Sequence, residues 1–258
     1  MIICLFFILA TFIAQALSLQ PPDYSLGKEH SSEHLNRRTG RLSRLEPLSY
    51  VNTTRLQVAY YEDGSPDAQV VLLLHGWPYD IHSYTEVAPA LVKQGYRVIV
   101  PYLRGNGPTT FLHTDTFRSG QQAALGYDII ELLDALSIKK AIFAGYDWDL
   151  DRAAETFVNP DYVSVVTHVY RHRLLYAPGD PGYNNIEKAL LEQPVISVPT
   201  VTLDGLADGN FPPTNGSSSA KYFSGPRVHH QVPGAGHNLP QEKPEAFIKA
   251  VLDVLSLK

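Results

Sequence analysis

The apolar run Ala141-Ile142-Phe143-Ala144 ends in Gly145-Tyr146-Asp147-Trp148, and no other stretch limits the fold as tightly. Four apolar residues closed by a glycine predict a buried strand that delivers the chain into a sharp turn. A strand-to-helix turn that carries a nucleophile at its tip has the pattern G-x-nucleophile-x-G. Here the tip is Asp147, and the second glycine is replaced by Asp149, followed by Leu150 and Asp151. An aspartate at that position changes the chemistry from acyl to alkyl transfer. A serine needs a base to remove its proton, whereas a carboxylate with an ordinary pKa is already ionised at neutral pH.

The flanking pattern places this turn in an α/β architecture. Leu48–Val51 and Leu56–Tyr61 read as strands, and Glu62-Asp63-Gly64-Ser65-Pro66 supplies the turn to the next. Gln69–Leu74 is a continuous apolar run, as expected of a strand buried on both faces of a parallel sheet. His75-Gly76-Trp77-Pro78 closes it, and a helix is predicted from Ile81 to Lys93. Arg97–Val100 is the next strand, Ser119–Leu136 an amphipathic helix and Lys140–Gly145 the strand that delivers Asp147. Val198–Leu203 and Val228–Val232 predict two more strands, and Lys243–Leu257 a closing helix. Strands that alternate with helices predict a mostly parallel, doubly wound sheet with function at the strands' carboxyl ends.

Three chemistry-bearing residues follow such ends in the order nucleophile, acid, base: Asp147, Asp208 and His237. Asp208 lies in Leu203-Asp204-Gly205-Leu206-Ala207-Asp208-Gly209, where Asp204 competes for the acid role. His237 lies in the glycine-rich loop Pro233-Gly234-Ala235-Gly236-His237-Asn238. With Asp147 as nucleophile, His237 oriented by Asp208 is free to activate a water that hydrolyses the resulting ester. The oxyanion of that step needs backbone N–H donors, which Trp77 and Trp148 are placed to supply. His75 reads as a brace between loops, not a catalyst.

Compartment and partners follow from the ends and the charge. Ile2–Ala14 is nearly all apolar, too short to span a bilayer comfortably, and Ala16-Leu17-Ser18 suits cleavage, so residues 1–18 predict a secretory signal. The only cysteine, Cys4, lies in that segment. Residues 19–47 read as a flexible lead-in. Asn52-Thr53-Thr54 and Asn215-Gly216-Ser217 match the N-glycosylation pattern. A net charge of −5 without a basic stripe argues against nucleic acid and anionic membranes as partners. The oligomeric state is not legible.

Four motifs in this order, His75-Gly76-Trp77-Pro78, Arg104-Gly105-Asn106-Gly107-Pro108-Thr109, Gly145–Trp148 and Gly234–Pro240, together resemble the α/β-hydrolase superfamily. The branch they resemble is that of the epoxide hydrolases and haloalkane dehalogenases with an Asp nucleophile. The resemblance covers the chain from about Leu48 onward. It implies a core of residues 48–148 and 195–258 with a lid-like segment, 149–194, between them. It implies a small-molecule substrate and a lid tyrosine that protonates the departing alkoxide; no cofactor or metal is expected, since no His/Cys/Asp cluster has ligand spacing. Tyr170, followed by Arg171, stands where the resemblance puts one such tyrosine.

The resemblance also implies a deletion. Relatives continue from the elbow into Gly-Gly, a long helix, a further strand and a full lid. Here Trp148-Asp149-Leu150-Asp151 leads almost at once into lid-like sequence, and 61 positions separate Asp147 from Asp208. The run Tyr162–Tyr170 is rich in β-formers, yet the resemblance reads it as a lid helix. Asp149 and Asp151 bring negative charge near Asp147, which disfavours its ionised form. Three functions are therefore in view: an epoxide hydrolase-like enzyme impaired by the shortening, a dehalogenase in which the Trp148 indole holds halide, and a non-catalytic remnant or binding protein. A serine esterase is disfavoured because no G-x-S-x-G occurs.

Overall fold

The structure, a computed structural model, describes residues 2–3, 44–146 and 158–257. Most of the predicted signal and lead-in, Asp147, Trp148 and the junction after them lie outside the described residues. In chain order the strands are β1 (Ile2–Ile3), β2 (Leu48–Asn52), β3 (Leu56–Asp63), β4 (Val70–Leu74), β5 (Arg97–Pro101), β6 (Thr110–Phe111), β7 (Ala141–Gly145), β8 (Thr200–Gly205) and β9 (Arg227–Val232). The α-helices are α1 (Val87–Lys93), α2 (Gln122–Ala135), α3 (Tyr162–Arg173), α4 (Asn184–Leu191), α5 (Leu239–Glu242) and α6 (Pro244–Asp253).

The main sheet runs β1-β7-β4-β5-β3-β2, with β6 added to β3. Its centre is parallel, β4 pairing with both β5 and β7, and its β2–β3 flank is antiparallel. All five residues of β4 are buried, and their period of two divides them between two cores. Val71 and Leu73 face a core with Leu91 of α1 and Val251 of α6, while Val70, Leu72 and Leu74 face Ile129 of α2. A strand covered by helices on both faces has to be apolar throughout, which is why β4 carries no alternation.

The last two strands depart from expectation. The sequence predicts a single doubly wound sheet, but β8 and β9 form a separate parallel pair. Among the described residues no strand stands between β7 and β8 in the chain, so no backbone ladder carries the main sheet across to them. Side chains make the connection instead: Val201 of β8 and Val232 of β9 share a core with Ile142, Ala144, Phe247 and Val254.

Three boundaries also move for identifiable reasons. The predicted helix from Ile81 splits into a 3₁₀ turn, Ile81–Tyr84, and α1. Pro89 lacks an N–H and is tolerated in the first turn of α1, but in a continuous helix its ring would meet the Thr85 carbonyl. Helix α2 begins at Gln122, because the backbone of Gln121 before it is extended, and the preceding Gly120 lies hard against α3: a Cβ there would sit 2.5 Å from the Val165 carbonyl. The Gly120 N–H donates to His168 Nδ1 at 2.9 Å, while His168 Nε2 donates to the Pro178 carbonyl at 3.0 Å. The β-forming run Tyr162–Tyr170 is helical within α3, with Tyr162, Val165 and Val169 buried on one face. Packing outweighs the strand preference of its valines.

Arg104, 1% exposed, ties α2 to the loop after β5. Its Nε and Nη2 donate to the two carboxylate oxygens of Asp128 at 2.5 and 2.6 Å, and its Nη1 donates to the Ser119 carbonyl at 2.8 Å. Removing one partner leaves the other charge buried and alone, at a cost of about 3–5 kcal/mol, whereas replacing both by apolar groups is far milder. Urea denaturation of Asp128→Leu is expected to show that loss. The double variant Arg104→Met/Asp128→Leu is expected to recover most of it.

Candidate active site

Loops after β4, β7, β8 and β9 supply the residues singled out by sequence. After β4, His75 is 3% exposed. The Leu103 N–H donates to its Nε2 at 3.1 Å, so Nδ1 carries the proton and donates to the Gly76 carbonyl at 2.8 Å. The ring thus braces the β4 loop to the β5 loop, and burial holds its pKa below the usual histidine range. Asp80 caps the following turn, its Oδ1 accepting the His82 N–H at 2.8 Å. Burial alone would raise the Asp80 pKa, but its bonds to His82 outweigh that and hold it low. Trp77 is buried with Leu125, Tyr162 and Val169, and its indole Nε1 has no hydrogen-bond partner among the described residues.

At the end of β7, Gly145 lets the chain pass the Leu74 carbonyl, which a Cβ would approach to 3.0 Å. Tyr146 follows, buried, its hydroxyl bonded to Ser83 Oγ and its ring 5.8 Å from Tyr84 in an edge contact. Tyr84 in turn donates to the Leu74 carbonyl at 2.6 Å. Burial raises the pKa of both tyrosines well above the usual range, so both are neutral. The residue immediately before Asp147 is therefore pinned to the turn that follows Trp77-Pro78. Asp147 and Trp148 themselves lie outside the described residues.

After β8 and β9 the structure brings Asp208 and His237 together. Asp208 Oδ1 accepts the N–H groups of Asn210 and Phe211 at 2.8 and 3.0 Å, which fixes the carboxylate. Its Oδ2 faces His237 Nδ1 at 2.7 Å. The competitor Asp204 is engaged elsewhere, accepting the Thr214 N–H and hydroxyl at 2.8 and 2.9 Å. Gly205 makes the Asp208–His237 approach possible: a Cβ there would lie 2.2 Å from the Gly236 carbonyl. Phe211 stacks on the His237 ring at 5.2 Å. The His237 side chain is 6% exposed, and its Nε2 is buried without a partner among the described residues.

The tyrosines of the lid-like segment sort differently from the sequence reading. Tyr170 is 41% exposed on α3, whereas Tyr162 on the same helix is 5% exposed beside Trp77. Burial pushes the Tyr162 pKa up to about 12. Tyr183 is buried and accepts a bond from Arg55 at 2.7 Å, a tie between segments. Sequence reasoning did not single out Phe211, Ser83 or the packing role of Tyr162. Phe211 carries no sequence signal beyond standing three positions after Asp208.

The His75 environment sets a pH dependence. The unfolded chain titrates near the ordinary value of 6.5, while the folded histidine stays neutral to lower pH. As pH falls below about 6.5 the unfolded state therefore takes up a proton that the folded state refuses, and stability declines, at most by about 1.4 kcal/mol per pH unit. Asp80 acts only below its ordinary value of 3.8 and does not enter this window. Urea titrations between pH 7 and 5 are expected to show a decline that His75→Gln reduces.

The α/β hydrolase fold model matches residues 69–148. Epoxide hydrolase A of Mycobacterium tuberculosis is 35% identical over 103 residues, 40% of this chain and 31% of that protein. A haloalkane dehalogenase of Psychrobacter cryohalolentis is 44% identical over 54 residues, 21% of this chain and 18% of its own. The matched stretch thus spans about a third or less of the curated relatives' length. The crystal structure of a candidate epoxide hydrolase from Klebsiella pneumoniae superimposes with a TM-score of 0.79 at 32% identity, covering 84% of this chain and 100% of that one. The chain belongs to the α/β-hydrolase superfamily, on its epoxide hydrolase-like branch.

Proposed function

We propose that the protein opens an epoxide through an ester on Asp147, which a His237-activated water then hydrolyses. The observation that carries this reading is the Asp208–His237 pair at 2.7 Å with His237 Nε2 buried and unpaired among the described residues. In the first step the Asp147 carboxylate attacks an epoxide carbon, the C–O bond breaks, and the alkoxide takes a proton from a lid tyrosine. In the second, His237 Nε2 removes a proton from water as the oxygen attacks the ester carbonyl, and the Trp77 and Trp148 N–H groups receive the oxyanion. Collapse releases a diol and restores the carboxylate. His237 returns its proton to the tyrosinate by way of solvent, so the sum is epoxide plus water.

Tyr170 is the acid that the family pattern nominates, and the burial of Tyr162 beside Trp77 favours a second reading in which Tyr162 donates. Asp149 and the shortened 149–194 segment are proposed to slow turnover by disfavouring ionised Asp147. Matched epoxides and haloalkanes, assayed by diol and halide release, test the proposal. Diol formation that Asp147→Ala and His237→Asn abolish is expected, and whichever of Tyr170→Phe and Tyr162→Phe lowers it by about 10²-fold names the acid. Halide release alone supports the dehalogenase reading. Absence of any Asp147-dependent turnover overturns catalysis and leaves a binding protein.

We also propose that the chain enters the secretory pathway and is glycosylated. No described helix is long and apolar enough to cross a membrane. The exposed turn at Asn215 supports modification: its Oδ1 accepts the Ser217 N–H at 3.0 Å and hydroxyl at 2.6 Å. Asn52 ends β2 and accepts from Gln57 at 3.3 Å. Expression in secretory cells is expected to yield medium-borne protein whose mass falls on treatment with an N-glycosidase. Asn215→Gln is expected to remove one glycan's mass.

A further inference from the structure

We propose that Glu242 is a positioning residue for His237, holding its loop through the two amides that flank it. The inference rests on the reading of His237 as the base. The Gly236 N–H donates to Glu242 Oε2 at 2.5 Å and the Asn238 N–H donates to Oε1 at 3.0 Å. One carboxylate thereby closes the loop from Gly236 to the end of α5, with His237 between its two bonds. A carboxylate suits this task because both oxygens only accept, and each takes one amide.

The glycine before His237 follows from the same contact. A Cβ on Gly236 would stand 3.0 Å from both Glu242 oxygens, tighter than most such contacts, so glycine lets the carboxylate come this close without having to shift. The imidazole is then set from three directions. Asp208 holds Nδ1, the Phe211 ring covers one face, and Glu242 fixes the backbone from which the ring projects. Asp208 and Phe211 act on the ring alone, and the Ala207–Ala235 contact holds the loop two residues upstream, so Glu242 is the side chain that restrains the backbone on both sides of residue 237 and with it the direction of Nε2.

Glu242→Gln tests this with little risk to folding, because Glu242 lies at the exposed surface. The amide keeps one acceptor and turns a donor toward the second backbone N–H, so one clamp bond is lost and one repulsion added. Two measurements are made on the full chain. The first follows the His237 Nδ1 proton in the bond to Asp208 by proton NMR, and in Glu242→Gln this resonance is expected to broaden or vanish while the melting curve stays close to the parent's. The second is epoxide turnover, expected to lose roughly tenfold in kcat with KM little changed. Glu242→Asp is expected to recover part of both, and Glu245→Gln, which removes an exposed charge on the next helix, to leave both unchanged.

An unchanged resonance in Glu242→Gln overturns the proposal, whether or not the parent turns over epoxides. If the parent lacks turnover but the resonance responds, the positioning role stands and the catalytic reading fails. If the parent's turnover depends on Asp147 while Glu242→Gln matches it in rate and resonance, the catalytic reading stands and the positioning role fails.

Discussion

The close approach of two backbones at Gly205 governs the candidate site. Gly205 ends β8 directly against the carbonyls of Ala235 and Gly236, where any Cβ would overlap an oxygen. The Ala207 N–H then donates to the Ala235 carbonyl at 2.8 Å, locking the two loops side by side. From that fixed crossing Asp208 needs only its own short turn, capped by Asn210 and Phe211, to reach His237. The pair owes its geometry to main-chain contacts, since a side chain as short as aspartate has little reach of its own.

A second set of contacts fixes the ends of β4 and β7. His75 spans from the β4 loop to Leu103, and Tyr146 joins the end of β7 to Ser83. The segment 149–194 is attached to the same region by polar ties: Asn159 donates to the Gly107 and Thr109 carbonyls at 2.7 and 2.8 Å, and Arg118 to Asp161 at 2.8 Å. The Asn159 bonds satisfy two backbone carbonyls that would otherwise be orphaned, so the segment is held by hydrogen bonding as well as by its apolar face.

The core strands were legible because their burial on both faces writes itself as uninterrupted apolar sequence, as in Val70–Leu74. The partnership of Asp208 with His237 was legible from motif order, and the geometry separates Asp208 from Asp204 in a way that spacing alone did not. The separation of β8 and β9 from the main sheet was hidden, because strand pairing depends on what lies between them in space. The split at Pro89 obeys a local rule that hydrophobic periodicity overrode. The environment of each tyrosine was also hidden, since Tyr162 and Tyr170 share one helix and differ only in which face meets Trp77. The Asp147 turn, the most explicit feature of the sequence, falls outside the described residues.

Two sheets, joined by side chains, divide the candidate machinery. Tyr146 and the loop that leads to Asp147 extend from the main sheet, whereas Asp208 and His237 extend from the β8–β9 pair. Interstrand hydrogen bonds resist sliding in register, but apolar packing around Phe247, Val251 and Val254 is far less directional. The distance between the two halves is therefore softer than the distance within either one. Warming or mild denaturant should loosen the seam between the sheets while each one remains intact, so the groups they carry would drift apart before the chain loses its fold.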